Sequence, residues 1–182
     1  MGVFDTAMNK AVFLDRDGVV NRAVIREGKP YPPKDLSELV VPPECSGLLE
    51  SLKRAGYVIL VVSNQPDVAR GTQSMDTVEH INAMLQASLP IDDFFMCYHD
   101  DQAHCLCRKP KPGLILQAAE QHHVDVSKSF MIGDRWRDIE AGISAGCRTV
   151  FIDYGYAEMR PVYVDYCVGG LRDAVAMVMA ND

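Results

Sequence analysis

Asp15-Arg16-Asp17-Gly18 sets two carboxylates two residues apart, directly after the apolar run Ala11-Val12-Phe13-Leu14. Carboxylates so placed at a strand end can share one Mg2+, a hard ion that prefers oxygen ligands. Asp15 could attack phosphorus and form an acyl phosphate. Asp17 could protonate the leaving oxygen and then activate water. Three further groups follow in order. Ser63-Asn64-Gln65 ends a second apolar run and offers a hydroxyl and backbone N–H groups to phosphate oxygens. Arg108-Lys109-Pro110-Lys111-Pro112-Gly113 brings fixed positive charge to the start of a helix, where a phosphoryl group could be clamped. Gly133-Asp134-Arg135, with Asp138 beyond it, supplies further carboxylate for Mg2+. Each has a plainer reading when taken alone: a solvated turn, a helix cap, a basic surface loop, a glycine turn with an acidic cap.

Cys97-x-His99-x5-Cys105-x-Cys107 is a separate constellation. Three thiolates and one imidazole complete a closed tetrahedral Zn2+ site, which is structural because no position is left for water. His104 is the other candidate for the fourth ligand, but as the immediate neighbour of Cys105 it chelates less easily, so His99 is preferred. The zinc loop leads straight into Arg108-Lys109 and would fix the phosphate clamp. Cys45, Cys147 and Cys167 are scattered and read as small buried apolar residues.

These residues need a scaffold, and the hydrophobic pattern predicts one. Strands are expected at 11–14, 57–62, 94–96, 129–132 and 149–152. Helices are expected at about 44–55 (closed by Gly56), 75–88 (ended by Pro90), 112–123 with Pro112 in its first turn, 139–145, and 170–179. Strand–helix alternation of this kind predicts an α/β fold, a central parallel sheet with helices on both faces. Ligands bind such sheets at the carboxyl ends of the strands, where Asp15, Ser63 and Asp134 fall. Residues 22–43, with five prolines, read as a long irregular loop that overhangs the site.

Residues 1–182 fit a single domain. An apolar fraction of 48% and a charged fraction of 24% are ordinary for a globular chain. A net charge of -7 excludes nucleic acid or anionic membrane as a partner bound through the general field. No membrane span is expected, because the sequence has no apolar run of about 18 residues. The stretch MGVFDTAMNKAVFLD has no basic region before a long apolar run, so no leader is expected. In a cytosolic chain clustered thiols suggest metal more than disulfides. The expectation is a cytoplasmic monomer acting on a small phosphorylated metabolite.

Taken together, Asp15 and Asp17, Ser63, Lys109, and Asp134 with Asp138 resemble the four ordered motifs of the haloacid dehalogenase superfamily of phosphatases, over about Lys10 to Asp153. The resemblance implies a Rossmann-like domain and an aspartyl-phosphate intermediate on Asp15. Mg2+ would be held by Asp15, the Asp17 carbonyl and Asp134, with Asp138 behind. Lys109, Ser63 and Asn64 would hold the transferring phosphoryl group. The zinc loop narrows the likeness. Phe13 to Asn21, Ser63-Asn64-Gln65 with Ala69-Arg70-Gly71, and Cys107 to Gly113 look like the D-glycero-D-manno-heptose 1,7-bisphosphate 7-phosphatase family, which has no large cap domain. That likeness implies a role in nucleotide-heptose synthesis for lipopolysaccharide or other surface glycans. Arg70, Arg108 and Arg135 would bind the rest of the substrate.

The chain departs from that pattern in three places. Arg135 stands where a lysine is usual, Pro66-Asp67-Val68 replaces a Ser-Gly-Ile-like turn, and Arg26 to Pro32 lacks the usual Gly-Tyr. Gly133-Asp134-Arg135 is similar to the related histidinol-phosphate phosphatases, whose amine-bearing substrate would need carboxylates such as Asp67, Asp100 or Asp101. A divergent sugar-phosphate phosphatase and a non-catalytic zinc-stabilised binding module complete the alternatives. Intact Asp15 and Asp17 argue against the last.

Overall fold

The first apolar run forms strand β1, Lys10–Leu14. Val12 and Leu14 pack into one hydrophobic cluster, Ala11 and Phe13 into another on the opposite side, as the two-residue period of a strand dictates. The computed structural model describes residues 8–182; residues 1–7, which open the stretch read above for a leader, lie outside them. A hairpin follows, β2 (Val24–Arg26) and β3 (Lys29–Tyr31). Then come α1 (Cys45–Arg54), β4 (Tyr57–Asn64), α2 (Met75–Ser88), β5 (Asp93–Cys97) and α3 (Gly113–Gln121). The chain closes with β6 (Phe130–Gly133), α4 (Trp136–Ala145), β7 (Arg148–Ile152), β8 (Tyr166–Val168) and α5 (Leu171–Ala180).

Six strands form one sheet in the order β5-β4-β1-β6-β7-β8, and every neighbouring pair is parallel. Phe13 pairs in register with Leu60 on one side and Met131 on the other. Helices α1, α2 and α5 contribute Leu49, Ile81 and Val175 to one face of the core. Helices α3 and α4 contribute Ile115 and Ala141 to the other. The chain builds outward from β1 through β4 to β5, then returns to β6 on the far side of β1. That reversal opens a crevice beyond the carboxyl ends of β1 and β6, the two strands that Asp15 and Asp134 follow. No helix among the described residues is long and apolar enough to cross a membrane.

The structure corrects four expectations. Pro112 is the N-cap of α3, before its first turn. Helix α4 begins at Trp136, so Asp138 lies inside its first turn. Cys167 is exposed on β8, a strand too short at three residues for its period to be read. The 22–43 segment is not wholly irregular: Glu27 and Gly28, both with positive φ, turn the β2–β3 hairpin, as tight hairpins require of their central residues. The Ala157 N–H donates to the Gly28 carbonyl at 2.8 Å and docks the hairpin tip. The segment does overhang the site, for Lys29 to Pro32 line the cleft described next.

Candidate active site

The chain leaves β1 in a compact turn. The Gly18 N–H donates to the Asn21 carbonyl at 2.7 Å, and the Val20 and Asn21 N–H groups donate to that of Arg16. Gly18 has φ +102, and a Cβ there would fall 1.8 Å from Asp134 Oδ2. Only glycine lets the turn approach that carboxylate. Arg16 is fully buried; it donates to both oxygens of Asp17 at 3.1 Å and to Asn82 Oδ1 at 3.0 Å. Asn21 and Gln65 complete the set, donating to Asp17 at 3.0 and 2.7 Å. Asp17 is therefore fixed by three side chains that surround it.

Lys109 is the electrostatic centre. Its ammonium, 2% exposed, donates to Asp15 Oδ1 at 2.9 Å, Asp138 Oδ1 at 2.5 Å and the Val62 carbonyl at 2.7 Å. All three of its N–H donors are used. Burial works against this charge, but the carboxylates of Asp138 and Asp15 outweigh it and hold the pKa above the usual lysine value. The other oxygen of Asp138 accepts from the Arg135 N–H at 3.0 Å and so caps α4. One carboxylate thus ties the helix to the lysine.

Asp15, Asp134 and Asp138 bring carboxylate oxygens within 4.8 Å of one another. Burial, then the charge of Asp138, pushes the Asp15 pKa up to about 6 against the pull of Lys109. Burial, then Asp15 and Asp138, raises that of Asp134 well above its ordinary value. Three buried carboxylates against one ammonium leave an excess of negative charge. Asp134 Oδ2 accepts from the Tyr156 hydroxyl at 2.9 Å, whereas Oδ1 is buried without a partner. The all-oxygen donor set, the uncompensated charge and this orphaned oxygen fit Mg2+.

Ser63 and Asn64, at the end of β4, line the cleft. Asn64 also grips the clamp: its amide donates to the Lys109 carbonyl and accepts from the Lys109 N–H, both at 3.0 Å. Gln65 does not reach the cleft. It is fully buried and donates to Asp17 and to Ser63 Oγ, while its N–H donates to the Cys97 carbonyl. Its expected contact with substrate is corrected to a support for Asp17. Beyond Asp15 and Asp17 the cleft wall carries more positive than negative groups: Lys29, Arg70, Arg108, Arg135 and Arg137 line it with Asp67, Asp101 and Glu158. The four arginines have carboxylate partners. Arg70 meets Asp67 at 3.5 Å, Arg108 and Arg137 share Asp101 at 2.9 and 3.3 Å, and Arg135 meets Glu158 at 2.5 Å.

Cys97, His99, Cys105 and Cys107 converge as a second cluster. The thiol sulfurs lie 3.2 to 3.7 Å apart, and His99 Nδ1 is 3.3 and 3.5 Å from two of them. Zinc–sulfur bonds of about 2.3 Å imply tetrahedral edges of roughly 3.8 Å, so the donors fit a bound Zn2+. His104 lies outside the cluster, exposed and in a left-handed conformation. Sequence reasoning missed Arg16, Arg137 and Tyr156. Arg16 stands inside the motif that was read; Arg137 and Tyr156 carry no spacing signal.

A family model described as "HAD-hyrolase-like" matches residues 106–173, the stretch that holds Lys109, Asp134 and Asp138. With the sheet order and the carboxylates at its switch point, the match places this chain among the haloacid dehalogenase-like phosphatases, which are phosphoric monoester hydrolases. It is 39% identical over 146 residues to the D-glycero-beta-D-manno-heptose-1,7-bisphosphate 7-phosphatase of Helicobacter pylori strain 26695, covering 75% of this chain and 79% of the relative. It is 32% identical to the D-glycero-alpha-D-manno-heptose-1,7-bisphosphate 7-phosphatase of Photorhabdus laumondii, covering 79% of this chain and 81% of the relative. The chain belongs to the D-glycero-D-manno-heptose-1,7-bisphosphate 7-phosphatase family. The crystal structure of D,D-heptose 1,7-bisphosphate phosphatase from B. bronchiseptica, complexed with magnesium and phosphate, superposes with a TM-score of 0.76 at 26% identity, covering 95% of this chain and 99% of that one.

Proposed function

We propose that the chain removes the 7-phosphate of D-glycero-D-manno-heptose 1,7-bisphosphate, in nucleotide-heptose synthesis for surface glycans. The observation that carries the substrate reading is the cationic far wall of the cleft on a chain of net charge -7. One phosphate would enter beside Asp15 and Lys109, and the second would meet the arginines, whose guanidinium forks suit phosphate oxygens. A histidinol-phosphate site would need free carboxylates at that end. Asp67 and Asp101 stand beside arginines, whose fixed charge opposes a cationic amine, and Asp100 caps the Gln102 and Ala103 N–H groups.

Asp15 Oδ attacks phosphorus as the bond from phosphorus to the sugar oxygen breaks, and Asp17 gives that oxygen its proton. Asp17 then takes a proton from water, whose oxygen attacks phosphorus and returns Asp15 and inorganic phosphate. Lys109 and Ser63 would bind the transferring phosphoryl oxygens, Lys109 by turning to them the N–H that it gives Asp15 before attack, and Asn64 keeps Lys109 in place. Asp15, Asp134 and the Asp17 carbonyl would hold Mg2+, with Asp138 behind them. When bound, the ion supplies positive charge to the phosphoryl oxygens. Cys97, His99, Cys105 and Cys107 would hold a structural Zn2+. The action is placed in the cytoplasm, where thiolates stay reduced and open to Zn2+.

The test is phosphate release from both anomers of the bisphosphate, from histidinol phosphate and from hexose phosphates, with Mg2+ and with EDTA. The expected result is Mg2+-dependent release with the highest kcat/KM on a heptose bisphosphate. A higher kcat/KM on histidinol phosphate overturns the substrate and leaves the phosphatase.

A further inference from the structure

The segment that leaves β7 crosses the metal side of the cleft, and one of its residues grips a carboxylate of the three-carboxylate cluster. The Tyr156 hydroxyl donates to Asp134 Oδ2 at 2.9 Å. Asp134 is 2% exposed and its Oδ1 has no partner. Gly18 packs so closely against Oδ2 that no Cβ could fit there. The carboxylate is therefore held through one oxygen, and the other is left for a ligand. The terminal torsion of an aspartate is soft and two-fold, so the phenol is what selects this orientation. Tyr156 is itself well anchored. The next residue, Ala157, donates to Gly28 of the hairpin, and Glu158 pairs with Arg135.

We infer that Tyr156 is a positioning residue for Mg2+: it orients Asp134 so that Oδ1 faces the ion. The inference rests on reading the Asp15, Asp134 and Asp138 cluster as the Mg2+ site. Hydrogen-bond partners of metal ligands fix ligand orientation, and losing one costs on the order of tenfold to a hundredfold in metal affinity.

Mg2+ binding to the substrate-free protein, measured by calorimetry on wild type and Tyr156→Phe, tests it. The dissociation constant should rise about tenfold in Tyr156→Phe. The Mg2+ concentration for half-maximal rate should rise by the same factor, with a much smaller change in kcat at saturating Mg2+. Tyr154→Phe is the control: that ring lies 5.6 Å from Tyr156, centroid to centroid, but the hydrogen bond to Asp134 comes from the Tyr156 hydroxyl. It should bind Mg2+ like wild type. Equal affinities in wild type and Tyr156→Phe overturn the inference. So does a Tyr156→Phe protein that melts lower in EDTA and loses kcat equally at every Mg2+ concentration, because that is a folding role. Absence of Mg2+ binding by the wild-type protein overturns the metal-site reading and this inference with it.

Discussion

Asp15 carries a charge that its neighbours only partly offset. Burial and the adjacent Asp138 outweigh the Lys109 ammonium and lift its pKa from 3.8 to about 6. Between about pH 4 and 6 the metal-free native state thus holds more protons on this group than the unfolded chain does. Its contribution to stability is present below that window and is lost as pH rises through it. A divalent ion reverses the balance by binding the ionised form. The rise in melting temperature given by Mg2+ should therefore be small near pH 4 and grow through pH 6; an equal rise at every pH from 4 to 7 would contradict the argument. The same energetics apply to substitution. Asp15→Asn should abolish turnover yet melt no lower than wild type in EDTA, since the amide has no charge to desolvate. Asp17→Asn should lower kcat by about 10²- to 10⁴-fold, the usual contribution of a proton-transfer group. Near-normal phosphate release by folded Asp15→Asn would sink the mechanism.

At the scale of elements, Lys109 has to be delivered to the end of β1 by a loop that starts on β5 and ends at α3. Asn64 clamps the Lys109 backbone from β4, and the four zinc donors lie at residues 97–107, just ahead of it. Structural zinc supplies folding energy locally. Purified protein should hold one zinc per chain by elemental analysis. Cys105→Ser should lose it, with faster amide hydrogen exchange confined to 98–111 and a fall in kcat as Lys109 loosens. Unchanged exchange in a zinc-free variant would remove the loop from the argument. Sequence reading did best where an apolar pattern is long. Helix α2 runs over Met75–Ser88 as expected, and the β4 run is plain. It missed β8 because three residues carry no period, and the β2–β3 hairpin because prolines mask it. It placed the carboxylates correctly at strand ends, yet could not see that Arg16 is buried against Asn82, 66 positions away, or that Gln65 turns inward to Asp17. Such partners are set by tertiary packing and leave no mark on local spacing.

For the whole molecule, the puzzle is how a chain of net charge -7 would attract the tetra-anionic sugar bisphosphate proposed as its substrate. Four of its arginines, Arg70, Arg108, Arg135 and Arg137, line the cleft, each beside a carboxylate that must yield to a phosphate. The pairs of Arg70, Arg108 and Arg137 sit near solvent; Asp101, which serves both Arg108 and Arg137, is 57% exposed, whereas Glu158 beside Arg135 is 17% exposed. Exposed ion pairs are worth about 0–1 kcal/mol, so a dianion with a well-matched fork displaces them at little cost. The arginines are not equivalent. The Arg108 side chain is 10% exposed and braced by the His99 carbonyl and Asp101, whereas Arg70 is 47% exposed with one 3.5 Å partner. The braced guanidinium loses less freedom on binding and works in a drier setting. Charge-assisted hydrogen bonds of this kind are worth roughly 1.5–3 kcal/mol. Arg108→Ala should therefore lower kcat/KM for the bisphosphate by about tenfold to a hundredfold. Arg70→Ala should lower it less, and neither should much affect a simple monophosphate. Because steering is screened over a Debye length of about 10 Å at 0.1 M salt, kcat/KM on the bisphosphate should also fall with added salt, more steeply in wild type than in Arg108→Ala. Equal losses on bisphosphate and monophosphate would show that the cationic wall does not read a second phosphate, and the heptose bisphosphate assignment would go with it.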